Sequence, residues 1–251
     1  MTQLCREKIK PVLANFTTLK SGEVHPGLLL TKGMVDFPEG SKVGEIKAGR
    51  IREVCEISPS DIYQAAFARW QTTTQNFAHT EAALLGRLYI GVARDNALET
   101  GVTVSHTYGM PMIPGSAVKG LCRACAGDWL KNEEACRYLF GNAPDETDEA
   151  QLEVGGLIFH DAWWIPEDGK KPFVPEVVTV HHQAYYGNEG KQPATDFDSP
   201  VPAPQIAVQG SFYFVIEGEP AWTKLALRLL SQGLEQRGIG AKTSSGYGYF
   251  A

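Results

Sequence analysis

The residues with the clearest potential for chemistry lie in one glycine-rich segment near the end of the sequence, RGIGAKTSSGYG at positions 237–248. Four glycines within it give the backbone access to positive φ and let a ligand approach closely. The lysine, the three hydroxyl side chains and the exposed amides suit a phosphate–sugar backbone. We therefore predict RNA contacts from Arg237, Gly238, Gly240, Lys242, Thr243, Ser244, Ser245, Gly246 and Tyr247.

Two other interpretations of this segment are a nucleoside-triphosphate loop and a flexible connection. The first fails because Ala241 stands where such a loop needs a glycine before its lysine. It also fails because the segment joins a helix to a strand, whereas the triphosphate loop joins a strand to a helix. The flexible connection stays open as an alternative to RNA contact.

A second candidate is the helix-opening segment IPGSAVKGLCR at positions 113–123. Lys119 and Arg123 are four residues apart and therefore share one face of the predicted helix. Ser116 is predicted to cap this helix and is a further candidate for RNA or subunit contact. The helix dipole disfavours a cation in the first turn, and an anion bound at the helix start would offset that effect. A solvated basic face is the alternative.

Two other sets of residues have weaker claims to catalysis. His181 and His182 could support acid–base ribonuclease chemistry. Adjacent residues on a strand point to opposite faces, however, so both rings do not easily reach one phosphate. We predict no catalytic residue and keep both histidines as candidate RNA or subunit contacts. Asp161 is either a loop anchor or a lone carboxylate, and a lone carboxylate is weak evidence for catalysis.

Cys122 and Cys125 have the spacing of half a zinc site. Both fall on the buried stripe of the predicted helix and no second pair follows, so core packing is favoured and no metal or other cofactor is predicted. The chain has five cysteines, an odd number without regular spacing, which predicts free thiols.

The composition bounds the class of protein. The chain has 251 residues, 43% of them hydrophobic, which supports one good core. No run of about 18 apolar residues occurs and MTQLCREKIK lacks an apolar signal core, so we predict a cytoplasmic protein without a membrane span. The net charge of -6 argues against a general nucleic-acid binder, but seven acids and one base at 132–154 account for all of it. A basic RNA face can therefore coexist with an acidic face elsewhere.

The elements that must position these residues follow from hydrophobic periodicity. Helices are predicted over about 4–20, 60–77, 114–129, 133–140 and 220–236, and strands over 88–92, 155–165, 174–180, 205–217 and 247–250. Residues 21–49 are predicted as loops or an irregular ribbon, 95–111 as a long functional loop or hairpin, and 187–204 as a loop. This order predicts an α+β, ferredoxin-like fold. We expect an N-terminal extension, 1–85, packed on a domain formed by 86–251.

Taken together, the segments at 113–123 and 237–248 resemble the signatures of the RAMP superfamily of CRISPR proteins, I-P-G-S-x-x-K-G-x-x-R and G-I-G-x-K-x-S-x-G-Y-G. The resemblance covers roughly residues 86–251 and is specific because both motifs occur in one chain. His181-His182, Tyr185-Tyr186 and the segment 196–202 resemble one particular subunit of the type III-B effector complex.

This resemblance implies a ferredoxin-like (RRM-like) subunit of an antiviral complex assembled along a CRISPR guide RNA. The glycine-rich loop and the Lys119–Arg123 helix would line the RNA groove near the 3′ end of the guide, where the chain caps the filament. The implied partners are guide RNA, target RNA, neighbouring RAMP backbone subunits and a small helical subunit. Cleavage in such complexes is attributed to the backbone subunits, so a non-catalytic role is expected. Two alternatives stay open, namely metal-independent processing of guide precursors and a protein-only adaptor whose glycine-rich loop contacts the backbone of a neighbouring subunit. No basic-aromatic RNP1 strand is present, so base stacking on the sheet is not predicted.

Overall fold

The computed structural model describes residues 2–3, 6–11, 24–37, 43–92, 98–142, 153–182, 185, 187, 191 and 193–251. Its helices are α1 (Pro26–Lys32), α2 (Val43–Cys55), α3 (Asp61–Thr74), α4 (Gly115–Trp129), α5 (Glu133–Phe140) and α6 (Pro220–Gln236). Its strands are β1 (Thr2–Gln3), β2 (Asp36–Phe37), β3 (Ala78–Ala83), β4 (Met112–Ile113), β5 (Ile158–Phe159), β6 (Ala162–Trp164), β7 (Phe173–Val180), β8 (Val201–Val208) and β9 (Ser211–Glu217). No helix in these ranges is long and apolar enough to cross a membrane.

Strand β9 is the centre of the main sheet. It pairs antiparallel with β3 on one side and with β5 and β6 on the other, and β4 continues the sheet beyond β6. A bridge between Leu84 and Phe250 places the last residues beside β3. Along the chain, α4 lies between β3 and β5, and α6 lies between β9 and the last residues. This is the ferredoxin-like strand order, so the predicted α+β fold is confirmed.

Helices α4 and α6 pack side by side on one face of this sheet. They approach closely at Gly233, where an added Cβ would lie 2.9 Å from Cys125 Sγ. Phe212, Phe214 and Ile216 of β9 are buried in the same core, as the period-2 pattern of the strand predicts. The two helices that precede or carry the candidate RNA-binding motifs therefore rest on one apolar layer.

Helix α3 covers the opposite face of the sheet. Phe67 packs against Tyr213 of β9, and Thr74 Oγ1 lies 3.2 Å from the Tyr213 hydroxyl. Tyr63 Oη donates a hydrogen bond to Trp164 O at 2.5 Å. Because a helix from the N-terminal region occupies this face, the sheet presents no open platform there for stacked bases.

Strands β7 and β8 form a separate two-stranded antiparallel ribbon, whose register runs from Phe173 opposite Val208 to Val180 opposite Val201. Helix α2 packs against both strands. Phe173 and Val208 are buried, whereas Thr179 and Val201 are exposed, so the ribbon extends from the core into solvent. Its far end carries the segment that contains the two histidines.

Several predicted strands are wrong in position or extent. The segment 88–92 makes only isolated bridges, and the strand that pairs with β9 is β3, whose residues alternate only between half-buried and exposed. The segment 155–165 is divided into β5 and β6. The segment 205–217 is divided between β8 and β9 by a turn at Gly210, which has a φ of 102°. The last predicted strand is reduced to a bridge at Phe250.

The four helices predicted after residue 59 are confirmed, with ends moved by a few residues. Ser60 Oγ caps α3 by accepting from Tyr63 N at 3.3 Å, and Gly141 ends α5 at a φ of 75°. The prediction of loops over 21–49 is wrong, because α1 and the start of α2 lie there. The helix predicted over 4–20 falls mostly outside the described residues, which include one 3₁₀ turn at Glu7–Ile9.

Candidate nucleic-acid interface

The glycine-rich loop is fixed at both ends by main-chain hydrogen bonds. Ile239 N donates to Gly248 O at 2.8 Å, which closes the loop on itself. Gly248 N then donates to Arg87 O and Ala241 N donates to Tyr89 O, both at 2.8 Å. The loop is therefore an ordered structure seated on the Arg87–Tyr89 segment, and a flexible connection does not describe its base.

Three of the four loop glycines are required by contacts within the protein. Gly240 has a φ of 95°, and an added Cβ would lie 2.2 Å from Tyr89 O. Gly248 has a φ of 75°, and a Cβ there would lie 2.0 Å from Ile239 O. Gly238 has a φ of 69°, and a Cβ there would lie 3.0 Å from Gly248 O. At these positions glycine lets the backbone approach itself, and RNA contact by Gly238 and Gly240 stays a prediction.

The tip of the loop faces outward. Lys242 adopts a left-handed backbone with a φ of 61°, Thr243–Ser245 form a 3₁₀ turn, and Gly246 at a φ of 89° has open space around it. Lys242, Ser244, Ser245 and Gly246 are exposed, and Thr243 is half-buried. No hydrogen bond or ion pair joins the Lys242 side chain to another residue of the described chain. A charge and two hydroxyl groups are thus exposed on an ordered stretch of backbone.

Tyr247 attaches the loop to the core. Its ring lies 4.6 Å from the ring of Tyr89, measured between centroids, and both contact the base of the β7–β8 ribbon. Tyr89 is buried, and burial raises the pKa of its hydroxyl above the ordinary value. Within the described chain the Tyr89 hydroxyl has no well-formed hydrogen bond. Tyr247 is half-buried and is therefore an anchor more than a free stacking surface.

Arg237 has a carboxylate partner inside the protein. Its guanidinium pairs with Asp128 near the end of α4. Both side chains are partly exposed, so the pair is screened by solvent and contributes little to stability. RNA contact by Arg237 stays a prediction. It requires the guanidinium either to break its ion pair with Asp128 or to contact a phosphate while it remains paired.

Helix α4 begins in a way that the sequence did not predict. Its cap is Pro114, so the prediction that Ser116 caps the helix is wrong. The backbone N–H of Gly115 instead donates to Asp161 Oδ1 at 2.7 Å. An added Cβ at Gly115 would lie 2.0 Å from Phe159 O, so only glycine lets the helix start this close to β5. The anion predicted at the start of this helix is therefore supplied by the protein itself, as the Asp161 carboxylate.

A bulge between β5 and β6 turns Asp161 toward the helix. Phe159 is opposite Ile216 and Trp163 is opposite Tyr213. The chain therefore advances four residues from β5 to β6 while β9 advances only three, which leaves one extra residue between β5 and β6. The extra residue breaks the alternation of side chains and re-aims those within it. The loop-anchor interpretation of Asp161 is therefore confirmed by its hydrogen bond to Gly115.

Lys119 and Arg123 lie on α4 without a carboxylate partner among the described residues. Lys119 is half-buried and Arg123 is exposed. Cys122 contacts Ala226 and Asp128 contacts Arg237, so α4 and α6 run in the same direction. The start of the glycine-rich loop, which follows α6, therefore lies beside the end of α4, and Arg123 lies about 8 Å along the helix axis from Asp128. The Lys119–Arg123 pair and the glycine-rich loop therefore stay two separate candidates for RNA contact.

The histidines lie just beyond β7, so the argument that a strand points them to opposite faces is wrong. His182 adopts a φ of 59°, and its Nδ1 is 2.8 Å from Asp198 Oδ2. Asp198 also accepts hydrogen bonds from Thr195 N at 3.2 Å and Thr195 Oγ1 at 2.9 Å. The hydrogen bond from His182 is the main cause that lowers the pKa of Asp198, followed by those from Thr195. His181 is exposed.

Cys122 and Cys125 are completely buried in the core between α4 and α6. Burial raises the pKa of both thiols, which disfavours the thiolate that binds zinc. The core-packing interpretation is confirmed. Sequence reasoning did not identify Tyr89 as the seat of the loop or Asp128 as the partner of Arg237. It also did not identify the hydrogen-bond partners of Asp161 and Asp198. The only available signal was that Asp128 and Asp198 are polar residues within apolar or proline-rich segments.

Comparison with known proteins places the chain in a family. The family model described as the RAMP superfamily matches residues 81–251. The chain therefore belongs to the RAMP superfamily. Two curated relatives are each a Cmr6 subunit of a CRISPR Cmr system. This confirms the predicted resemblance to one particular subunit of the type III-B complex and shows that the subunit is the sixth.

The Cmr6 of Pyrococcus furiosus is 27% identical over 217 residues, which cover 64% of each chain. The Cmr6 of Saccharolobus solfataricus is 28% identical over 155 residues, which cover 61% of this chain and 48% of that protein. The chain thus spans less than two thirds of either relative. A chain in the cryo-EM structure of the Type III-B Cmr-beta bound to cognate target RNA has a TM-score of 0.66 at 20% identity. The likeness covers 97% of this chain and 84% of that one, and it shows a shared fold.

Proposed function

We propose that this chain is a non-catalytic RNA-binding subunit of a type III-B CRISPR Cmr effector complex. It holds the 3′ part of the guide RNA and caps the filament of RAMP backbone subunits. The observation that carries the proposal is the tip of the glycine-rich loop, where Lys242, Ser244 and Ser245 are exposed on a rigid base. These groups suit phosphate and sugar oxygens, which carry no base information.

The helix pair supports the same function. Arg123 and Lys119 provide cations on α4 that have no carboxylate partner within the part of the chain that the structure describes, and the Asp128–Arg237 pair joins α4 to the start of the loop. Each of these cations can contact a phosphate and add to the affinity for RNA. Because α3 covers one face of the sheet, we propose that RNA contacts the exposed tip of the loop and not that face.

The partners follow from membership of the complex. We propose contacts with guide RNA and target RNA, with neighbouring RAMP backbone subunits and with the small helical subunit. Similarity to two Cmr6 proteins and to a chain of a Cmr complex bound to target RNA supports these partners. We also propose that the chain acts in the cytoplasm, where guide and target RNA are found, in antiviral defence.

The second candidate function is metal-independent cleavage of guide precursors. The observation that favours it is the His182–Asp198 hydrogen bond of 2.8 Å, because an oriented imidazole beside an exposed second histidine suits acid–base work. Incubation of the isolated chain with precursor RNA in the presence of a chelator tests it. Site-specific cleavage that disappears in His181→Ala or His182→Ala would make this candidate the better one.

Retention of guide RNA in reconstituted complexes across a salt series tests the leading proposal. Lys242→Ala removes one phosphate contact and lowers the slope of log affinity against log salt by about 1. The loss is uniform across guide sequences, since phosphate contacts do not distinguish bases. The matched control is Lys224→Ala, at an exposed lysine near the other end of α6, which leaves the slope unchanged. An unchanged slope in Lys242→Ala contradicts the proposal.

A further inference from the structure

The far end of the β7–β8 ribbon presents an aromatic side chain to solvent. Phe197 is 97% exposed, more than any other large hydrophobic residue of the described chain. The turn that carries it is ordered, because Asp198 N donates to Thr195 O at 3.1 Å. The Asp198 carboxylate also accepts from Thr195 and pairs with His182, which ties the turn to the end of β7. The exposure of Phe197 is therefore a property of a fixed turn.

The charges beside Phe197 are negative. Asp196 is exposed, and no hydrogen bond or ion pair joins its carboxylate to another described residue. Asp198 lies on the other side, with a lowered pKa that keeps it ionised at neutral pH. The sequence from 181 to 200 contains three acids and one lysine, so its net charge is -2 with neutral histidines. An aromatic platform for RNA normally lies in a positive groove, whereas these carboxylates repel phosphates.

We propose that Phe197 is a docking anchor for a neighbouring protein subunit, and that it enters an apolar pocket whose rim carries lysine or arginine side chains facing Asp196 and Asp198. The inference rests on the proposed function, because it specifies how this chain contacts one of its protein partners. Aromatic side chains that fill a pocket are typical hot spots of interfaces, and opposite charges at the rim orient the partners. The Thr195–Asp198–His182 bonds preorganise the turn and reduce the entropy lost on docking.

Three variants of the 251-residue chain distinguish a protein pocket from an RNA platform in complexes reconstituted from purified Cmr subunits and guide RNA. Phe197→Ala weakens retention of the chain by about 10- to 100-fold, because it removes the buried ring. Phe197→Leu keeps retention within about five-fold of the unchanged chain, because an apolar pocket accepts an aliphatic side chain whereas stacking needs a ring. Asp196→Lys weakens retention most at low salt.

The matched control is Val154→Ala, at another almost fully exposed apolar residue outside the ribbon, and it leaves retention unchanged. A photoreactive p-benzoylphenylalanine in place of Phe197 identifies the contact directly. The expected crosslinked product is sensitive to protease and resistant to ribonuclease. A crosslink to RNA, no protein crosslink, full retention in Phe197→Ala, or tighter retention in Asp196→Lys overturns the inference. Failure of the proposed function is a separate result, namely an unchanged salt slope in Lys242→Ala.

Discussion

Asp161 accepts a hydrogen bond from the backbone N–H of Gly115 at 2.7 Å, across 46 positions of sequence. The bond satisfies one of the N–H groups that every helix leaves unpaired in its first turn. It also ties α4, which carries Lys119 and Arg123, to the bulge between β5 and β6. The position of the basic side chains therefore depends on an acid in a different element.

We predict that Asp161→Ala lowers the free energy of unfolding by about 1 kcal/mol, within the usual range for loss of a helix cap. Asp161→Asn retains a hydrogen-bond acceptor, so it lowers the free energy of unfolding by less than Asp161→Ala does. Urea denaturation monitored by circular dichroism measures both changes. The matched control is Ser116→Ala, because Ser116 is exposed and does not cap the helix. A larger loss in Ser116→Ala than in Asp161→Ala would show that the cap is assigned to the wrong residue.

We predict that Gly240→Val prevents incorporation of the chain into the complex at any salt concentration. Its Cβ would lie 2.2 Å from Tyr89 O, and the φ of 95° strains a β-branched residue by roughly 1 to 3 kcal/mol. Gly246→Ala has a similar φ of 89° but open space, so it costs about 1 kcal/mol and leaves incorporation intact. Co-purification with the other subunits measures both. Equal behaviour of the two variants would mean that contact with Tyr89 is not what closes the loop.

The turn that presents Phe197 is predicted to loosen at acidic pH. The pKa of Asp198 is lowered from its ordinary value of 3.8, so its ionised form stabilises the folded turn above that pH. This stabilisation is lost as the pH falls through the lower pKa of the folded state. Amide hydrogen exchange of Thr195 and Asp198, corrected for the intrinsic effect of pH, should rise below about pH 4. Asp198→Asn should exchange fast at every pH, and a protected turn in that variant would contradict the assignment.

We predict that His181→Ala and His182→Ala leave cleavage of target RNA by the reconstituted complex intact. His182 is occupied with Asp198 at the ribbon tip, far along the chain from the glycine-rich loop, and its hydrogen bond organises the turn. Gel analysis of labelled target RNA measures the cleavage rate. His182→Ala should still weaken retention of the chain, because it disorders the turn of Phe197. Loss of cleavage in complexes that assemble normally would place catalysis in this chain.

The sequence predicted the elements whose signals are local. Helix α3 follows a serine cap and α5 ends at a glycine. Helix α6 begins with Pro220 and is capped by Glu219, whose side chain accepts from Trp222 N at 3.3 Å. The alternation of β9 also predicted its buried face. These signals succeed because capping and periodicity depend on residues only a few positions apart.

Strand β3 is an element that local sequence patterns did not predict. Its sequence AHTEAA contains no large apolar residue, and its place in the sheet is decided by six pairs with β9, 128 to 138 positions away. Its half-buried side chains need little hydrophobicity, so the pattern of the segment does not mark it as a strand. The apolar segment at 88–92 was predicted instead, and it serves as the seat of the glycine-rich loop.

The sequence by itself determined the superfamily, the ferredoxin-like order and the residues of the glycine-rich loop. These could be predicted because motifs and helix caps depend on residues that are close together in the sequence. Only the tertiary structure decided what those residues contact. It placed Gly240 against Tyr89 O, Arg237 beside Asp128, and Gly115 beneath Asp161. It also set Phe197 on a turn held by His182. Each of these relationships joins elements distant in sequence, and long-range packing, which local patterns do not encode, brings them together.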